Sequence, residues 1–230
     1  MSSIKCVIFD CDGVLINSEV ISARIMIEEL AREGIQIDFA HFQKNFLGRG
    51  FARVAADIRA KSAQVISADF ESRYRSKLMD AFTKDLKPMP GIYEVLDRLS
   101  LPFCVATSSS PARVEHSLKL TGLERYFGKN VFTASQVKNG KPAPDLFLFA
   151  AAEMGMSPSD CLVIEDSETG LEAAMRAQMS VWHFTGGSHL KSELCPAQSS
   201  ALQIAAFDNW VMFPDMLAQA TSKQADVRKN

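Results

Sequence analysis

Residues 5–18 read Lys-Cys-Val-Ile-Phe-Asp-Cys-Asp-Gly-Val-Leu-Ile-Asn-Ser, an apolar β-forming run that stops at two aspartates one residue apart. A strand of Val, Ile and Phe with no polar alternation is buried on both faces, as in a parallel sheet. Such sheets bind ligands at the carboxyl ends of their strands. Asp10 and Asp12 are therefore expected at that edge. Side chains two apart in an extended segment point the same way, so both can approach one cation and one substrate atom. Gly13 allows the tight turn that follows.

Two carboxylates this close repel, and burial raises their pKa values further, so the pair calls for a compensating positive group. A divalent cation supplies one. Mg²⁺ prefers hard oxygen ligands and is held by one or two carboxylates together with substrate phosphate. In a phosphoryl-transfer site one aspartate can attack phosphorus, while the other gives a proton to the leaving oxygen and later takes one from water. An Asp-x-Asp-Gly segment taken alone is equally compatible with an ordinary turn. Three further segments bear on the choice.

Leu101 to Ser110 form a second apolar strand ending in hydroxyls, with Pro111 suited to a first helical position. Thr107 falls at the strand tip. With the backbone N–H groups of Ser108 and Ser109 it makes a cradle for phosphate oxygens; Ser109 or Ser110 can also cap the next helix, and both roles can hold at once. Gly140-Lys141-Pro142-Ala143-Pro144-Asp145 sets one lysine in a stiff turn before a helical pattern. Lys141 can neutralise nucleophile and phosphate together, or be an exposed loop lysine. Cys161 to Gly170 form a third buried strand running into Glu165 and Asp166. Successive strand residues face opposite ways, so one of these acids meets the metal directly; Asp166 is preferred and Glu165 is the second choice.

Four segments carrying an acid pair, a hydroxyl, a lysine and an acid pair, each read as the carboxyl edge of a strand and in that order, resemble the haloacid dehalogenase-like hydrolase superfamily. The resemblance spans nearly the whole chain. It implies a Rossmann-like core, Asp10 as nucleophile and Asp12 as general acid and base. It further implies that Asp12 gives the metal its backbone carbonyl, that Thr107, Ser108 and Lys141 hold phosphate, and that Asp10 and Asp166 ligate Mg²⁺ with Glu165 in support. Dehalogenase branches lack the second aspartate, which is present here. Phosphonate-cleaving relatives use a cap lysine; Lys44 lies in that region without distinguishing flanks. β-Phosphoglucomutase-like relatives carry a histidine and a lysine where this chain has Ser22 and Leu47. The expectation is a phosphomonoester hydrolase acting on a small phosphorylated metabolite, a sugar or sugar-acid phosphate. A phosphosugar mutase and a non-catalytic phospholigand binder are the alternatives.

The 230 residues, 47% of them hydrophobic, can fill a core domain and a smaller one. A net charge of −2 provides no broad basic face for nucleic acid. The apolar stretch at the start of the chain is too short, and runs too directly into the functional aspartate, for a signal peptide or membrane span, so a cytoplasmic setting is expected. Five cysteines, an odd number without a Cys-x-x-Cys pair and mostly within apolar strands, argue against a disulfide framework. Cys6, Cys104 and Cys161 read as small core residues, and Cys11 lies between carboxylates that disfavour a thiolate. His41, His116, His183 and His189 show no ligand spacing and receive no role.

After Ser18 the pattern turns helical, with Val20, Ala23, Ile27 and Leu30 at helical spacing, and the next buried strand arrives only at Phe103. The organisation expected is an α/β, doubly wound parallel-sheet core over 1–18 and 85–230, with an all-helical cap inserted over 19–84. Helices are expected at Ile92 to Leu99, Val114 to Leu120, Leu146 to Met154 and Leu171 to Gln178, with strands near Val131 to Ala134 and Val181 to Phe184. The tail Ser222 to Asn230 is expected to fray. By resemblance the insert is a lid whose closure excludes water. Within it Arg49, flanked by glycines, is the candidate for binding the leaving group; Arg53 is its rival, and a plain surface charge is the alternative for Arg49.

Overall fold

A computed structural model describes residues 4–61, 66–190 and 204–227. Six strands, β1 (Cys6–Phe9), β2 (Phe103–Thr107), β3 (Val131–Thr133), β4 (Cys161–Glu165), β5 (Ser180–Phe184) and β6 (Ala205–Phe207), form one sheet in the order β3-β2-β1-β4-β5-β6. Every neighbouring pair is parallel. The register explains why the central strands are apolar at every position. Ile8 lies opposite Cys104 and Val163 and packs with them on one face; Phe9 lies opposite Val105 and Ile164 on the other.

Between β1 and β2 comes an all-helical insertion: α1 (Glu19–Arg32), α2 (Phe39–Asn45), α3 (Phe51–Lys61) and α4 (Phe70–Asp85). Phe70, Tyr74, Leu78, Ala81 and Phe82 make the buried stripe of α4 and pack with Ile21, Ile25, Met26 and Leu30 of α1 in a core separate from the two that flank the sheet. The buried face of α1 differs from the expected one. Val20 is exposed, because Glu19 and Ser22 turn inward and Ser22 Oγ donates to the Ser18 carbonyl.

The remaining helices cover both faces of the sheet, which is therefore doubly wound. On one face α5 (Ile92–Arg98), α6 (Pro111–Leu120) and α7 (Glu124–Phe127) pack against large aromatics; on the other α8 (Asp145–Glu153) and α9 (Glu168–Arg176) approach through Ala150, Ala151, Ala173 and Ala174. Small side chains there let the helices come close to strands carrying Cys6, Cys104 and Cys161, all fully buried and free. Helix α10 (Phe213–Val227) returns to the aromatic face, where Trp210 stacks on Phe184 with ring centroids 4.8 Å apart.

Sequence reading missed β6 and α10. In Ala205–Phe207 two of three side chains are exposed, so the strand has almost no hydrophobic signature. Helix α10 also corrects the expectation of a fraying tail from Ser222, since its backbone continues through Val227; residues 228–230 lie outside those described. Expected helix and strand limits elsewhere differ by a few residues, the largest being the earlier starts of α6 at Pro111 and α9 at Glu168. Among the described residues no helix is long and apolar enough to cross a membrane.

Candidate active site

The strand order reverses direction of travel beside β1, and the crevice at the carboxyl ends of β1, β2 and β4 is where the singled-out residues converge. Asp10 leaves β1 with its backbone N–H bonded to the Ile164 carbonyl. The chain then folds back, with Leu15 and Ile16 N–H groups donating to the Cys11 carbonyl and Gly13 at φ +81°. A Cβ on Gly13 would stand 1.8 Å from Asp166 Oδ2, so any side chain there would displace that acid.

Lys141 sits at the centre. It is 3% exposed, and Nζ donates to Asp10 Oδ1 at 2.5 Å, Glu165 Oε1 at 2.6 Å and the Ala106 carbonyl at 3.0 Å. The alternative of an exposed loop lysine is thus excluded. Lys141 does not end a strand, however: it lies in the loop between β3 and α8, which corrects the expectation of four strand tips. Burial pulls the ammonium's pKa down, but Asp10 and Glu165 overcome this and hold it above its usual value.

The two acids of β4 have separate surroundings. Glu165 accepts from Lys141, from the backbone N–H groups of Asp166 and Ser167, and from Ser167 Oγ, the last three each at 3.0 Å. Its lone pairs are largely taken. Asp166 is as deeply buried, yet among the described residues its Oδ2 has no hydrogen-bond partner. Asp10, Glu165 and Asp166 each offer an oxygen within 4.8 Å of the others. Three buried carboxylates face one ammonium, an excess of negative charge that a divalent cation fits. Burial drives the Asp10 and Asp166 carboxyls well above their usual range: Lys141 offsets part of this for Asp10, while Glu165 adds to it for both.

Asp12 stands apart from that trio. Its Oδ1 accepts from Ser18 Oγ and from Arg113 Nη2, each at 2.6 Å, and its Oδ2 from Ser109 Oγ at 2.5 Å. Burial raises its pKa, but Arg113 and the hydroxyl donors outweigh burial and hold the carboxyl below its usual value. Thr107 ends β2, 1% exposed, and accepts from the Ser109 N–H at 3.1 Å. The neighbouring Ser108 Oγ reaches across to the Gly48 carbonyl of the helical insertion at 3.2 Å. Neither Ser109 nor Ser110 caps α6 by its side chain, so the capping role is not realised.

A cavity of about 440 Å³ opens between sheet edge and insertion, lined by Asp10, Asp12, Thr107 and Ser108 below and by Arg49 above. Arg49 reaches the cavity wall but is engaged with Asp57 Oδ2 at 2.6 Å and the Asn45 carbonyl at 2.9 Å. Lys44 is exposed on α2. Three residues that sequence reasoning passed over join the site. Arg113 binds Asp12 and Ser22 and lies over the Phe82 ring. Glu19 is a buried carboxyl on the cavity wall, pushed up to about 8 by burial and the nearby Asp12 and Asp166 charges. His189, fully buried, has Nε2 3.0 Å from Asp166 Oδ2, and burial lowers its pKa.

Residues 4–178 match the profile of the haloacid dehalogenase-like hydrolases. The 6-phosphogluconate phosphatase of Escherichia coli K12 is 27% identical over 85% of this chain and 89% of its own length. The fructose-1-phosphate phosphatase YqaB of the same organism is 34% identical over 75% of this chain and 92% of its own. A haloacid dehalogenase-like protein of unknown function from Agrobacterium tumefaciens superposes with a TM-score of 0.78 at 29% identity, covering 94% of this chain and 98% of that one.

Proposed function

The chain belongs to the haloacid dehalogenase-like hydrolases and is a phosphatase, and we propose that it hydrolyses a small phosphorylated metabolite, a sugar or sugar-acid phosphate, through an aspartyl-phosphate at Asp10. The observation that carries this reading is the placement of Asp10. It is buried at the sheet edge beside Lys141 and two further acids, with a second, separately held carboxylate, Asp12, on the same cavity.

Asp10 and Asp166 would hold Mg²⁺, joined by the Asp12 backbone carbonyl, with Glu165 fixing Lys141 and the β4 turn. The bound cation would neutralise phosphate charge and the excess of buried carboxylates. Thr107 Oγ1 and the Ser108 N–H would cradle the phosphate oxygens, and Lys141 together with the bound cation would favour the ionised form of Asp10 as it attacks phosphorus. The P–O bond to the leaving group breaks, and its oxygen takes a proton from Asp12. Water then attacks the phosphoryl group and gives a proton to Asp12 as the bond between phosphorus and Asp10 breaks, so that inorganic phosphate leaves and both residues are restored. Held by Arg113, Asp12 is in the base form suited to this second step; release from Arg113 allows it to carry the proton of the first.

The insertion over 19–84 is read as the lid and 1–18 with 85–230 as the core; the separate cap core and the Ser108–Gly48 contact support that division. Arg49, in the lid above the cavity, is placed to meet the leaving group once Asp57 gives it up. The names of the two Escherichia coli relatives support a phosphorylated sugar or sugar acid. Buried free cysteines support a reducing, cytoplasmic setting. The test is phosphate release from a panel of phosphorylated metabolites with Mg²⁺ and with EDTA. Asp10→Asn is expected to abolish release; full activity in that variant contradicts the assignment.

A further inference from the structure

The loop leaving β5 reads Thr185-Gly186-Gly187-Ser188-His189-Leu190 and places a ring against Asp166 of the acid cluster. His189 is 0% exposed, and its Nε2 lies 3.0 Å from Asp166 Oδ2. Among the described residues neither ring nitrogen nor that oxygen has a well-aligned hydrogen-bond partner. Three buried polar atoms left open in one place are costly, and the nearest pair is already at bonding distance.

The loop is built to bring them together. Ser188 Oγ donates to Asn17 Oδ1 at 2.6 Å, which ties the loop to the segment following the Asp10 turn. Gln43 Nε2 on α2 donates to the His189 carbonyl at 2.6 Å, which fixes the residue from the lid side. A Cβ on Gly187 would stand 2.5 Å from the ring, and one on Gly13 would be 3.0 Å from it, so both glycines make room for this placement. His189 is not among the three residues whose oxygens lie mutually within 4.8 Å. Its contact with that group is through Asp166 Oδ2.

We infer that His189 is a positioning residue of the cation site, its Nε2–H donating to Asp166 Oδ2 so that the other carboxylate oxygen is presented beside Asp10. The inference rests on the cation reading of the Asp10–Asp166 cluster. Partners that orient a ligating carboxylate typically change metal affinity about 10–100-fold when removed. Gln43 and Asn17 thereby connect the lid and the Asp10 turn to the orientation of a single metal-binding acid.

The experiment is Mn²⁺ titration of the full-length protein followed by the electron paramagnetic resonance signal of the free ion, without substrate. His189→Met, which keeps the volume and loses the donor, is expected to raise the Mn²⁺ dissociation constant about tenfold or more. His189→Gln, whose amide N–H reaches to the position of Nε2–H, is expected to retain affinity near that of the unaltered protein. Equal affinity in the Met variant, or equal loss in Met and Gln variants, overturns the role of His189 alone; no binding by the unaltered protein overturns the cation reading itself. Nitrogen hyperfine coupling to bound Mn²⁺ would show direct ligation and also overturn the positioning role. Should the Met variant not fold, ¹⁵N ring shifts of the unaltered protein decide: a protonated Nε2 supports the inference and a bare Nε2 refutes it.

Discussion

Replacing Lys141 by Met tests whether one ammonium holds the acid cluster together. Methionine keeps the stem length and adapts to irregular space, so little cavity is created and the change isolates the charge. Three acceptors lose their donor: Asp10 Oδ1, Glu165 Oε1 and the Ala106 carbonyl. Glu165 keeps the Asp166 and Ser167 donors, so the loss falls mainly on Asp10. Breaking a buried pair by removing one partner costs about 3–5 kcal/mol. For a domain of this size each kcal/mol lowers the melting temperature by about 2–4 °C, so a fall of about 6–20 °C is expected in EDTA. The pH dependence has a definite sign. Lys141's raised pKa means its own contribution is intact below the ordinary lysine value and is lost only as pH rises through the higher one. In the variant, Asp10 is left with a carboxyl raised further, so the native state binds the extra proton and the deficit shrinks as pH falls from 8 toward 5. Urea unfolding in EDTA at pH 5, 6.5 and 8 measures both quantities. A variant within about 1 kcal/mol of the unaltered protein at pH 8 would refute the view that Lys141 compensates the buried acids.

Two further outcomes follow from the same electrostatics. Glu19, raised to about 8, favours the native state in its protonated form, so its contribution is present below the ordinary glutamate value and is lost as pH rises toward 8. Glu19→Gln in EDTA should therefore flatten the stability–pH curve between about 5 and 8 and stabilise most at the alkaline end; parallel curves for the two proteins would contradict this. Gly170→Ala would set a methyl 1.8 Å from Glu165 Oε1 and push the carboxylate off Lys141. A loss of about 1–3 kcal/mol in urea unfolding is expected, against a gain of up to about 1 kcal/mol for the same change at an uncrowded helical site.

The residues that sequence reading recognised share one property. Asp10, Thr107, Glu165 and Asp166 each follow directly on a run of buried β-forming residues, and a parallel strand must deliver its last side chains to the carboxyl edge whatever else surrounds it. Lys141 was legible through its proline-braced turn, although the loop that carries it is not a strand tip. Arg113, Glu19 and His189 have no such local mark. The Arg113–Asp12 contact joins residues 101 positions apart and depends on how α6 packs against the Asp12 turn. The face of α1 was misjudged at Val20 for a related reason: hydrophobic spacing assumed an apolar partner, and the partner is in part the polar site.

Sequence alone determined which segments become buried strands, that their order brings two acid pairs to one edge, and that a helical stretch interrupts them, because burial and backbone preference act on consecutive residues. Only the tertiary structure decided how the charges are shared out. It gave Lys141 to Asp10 and Glu165, Arg113 to Asp12, and left Asp166 beside a buried imidazole. Charge interactions depend on distance in space and on the loss of water, and neither is a property of a residue's place along the chain.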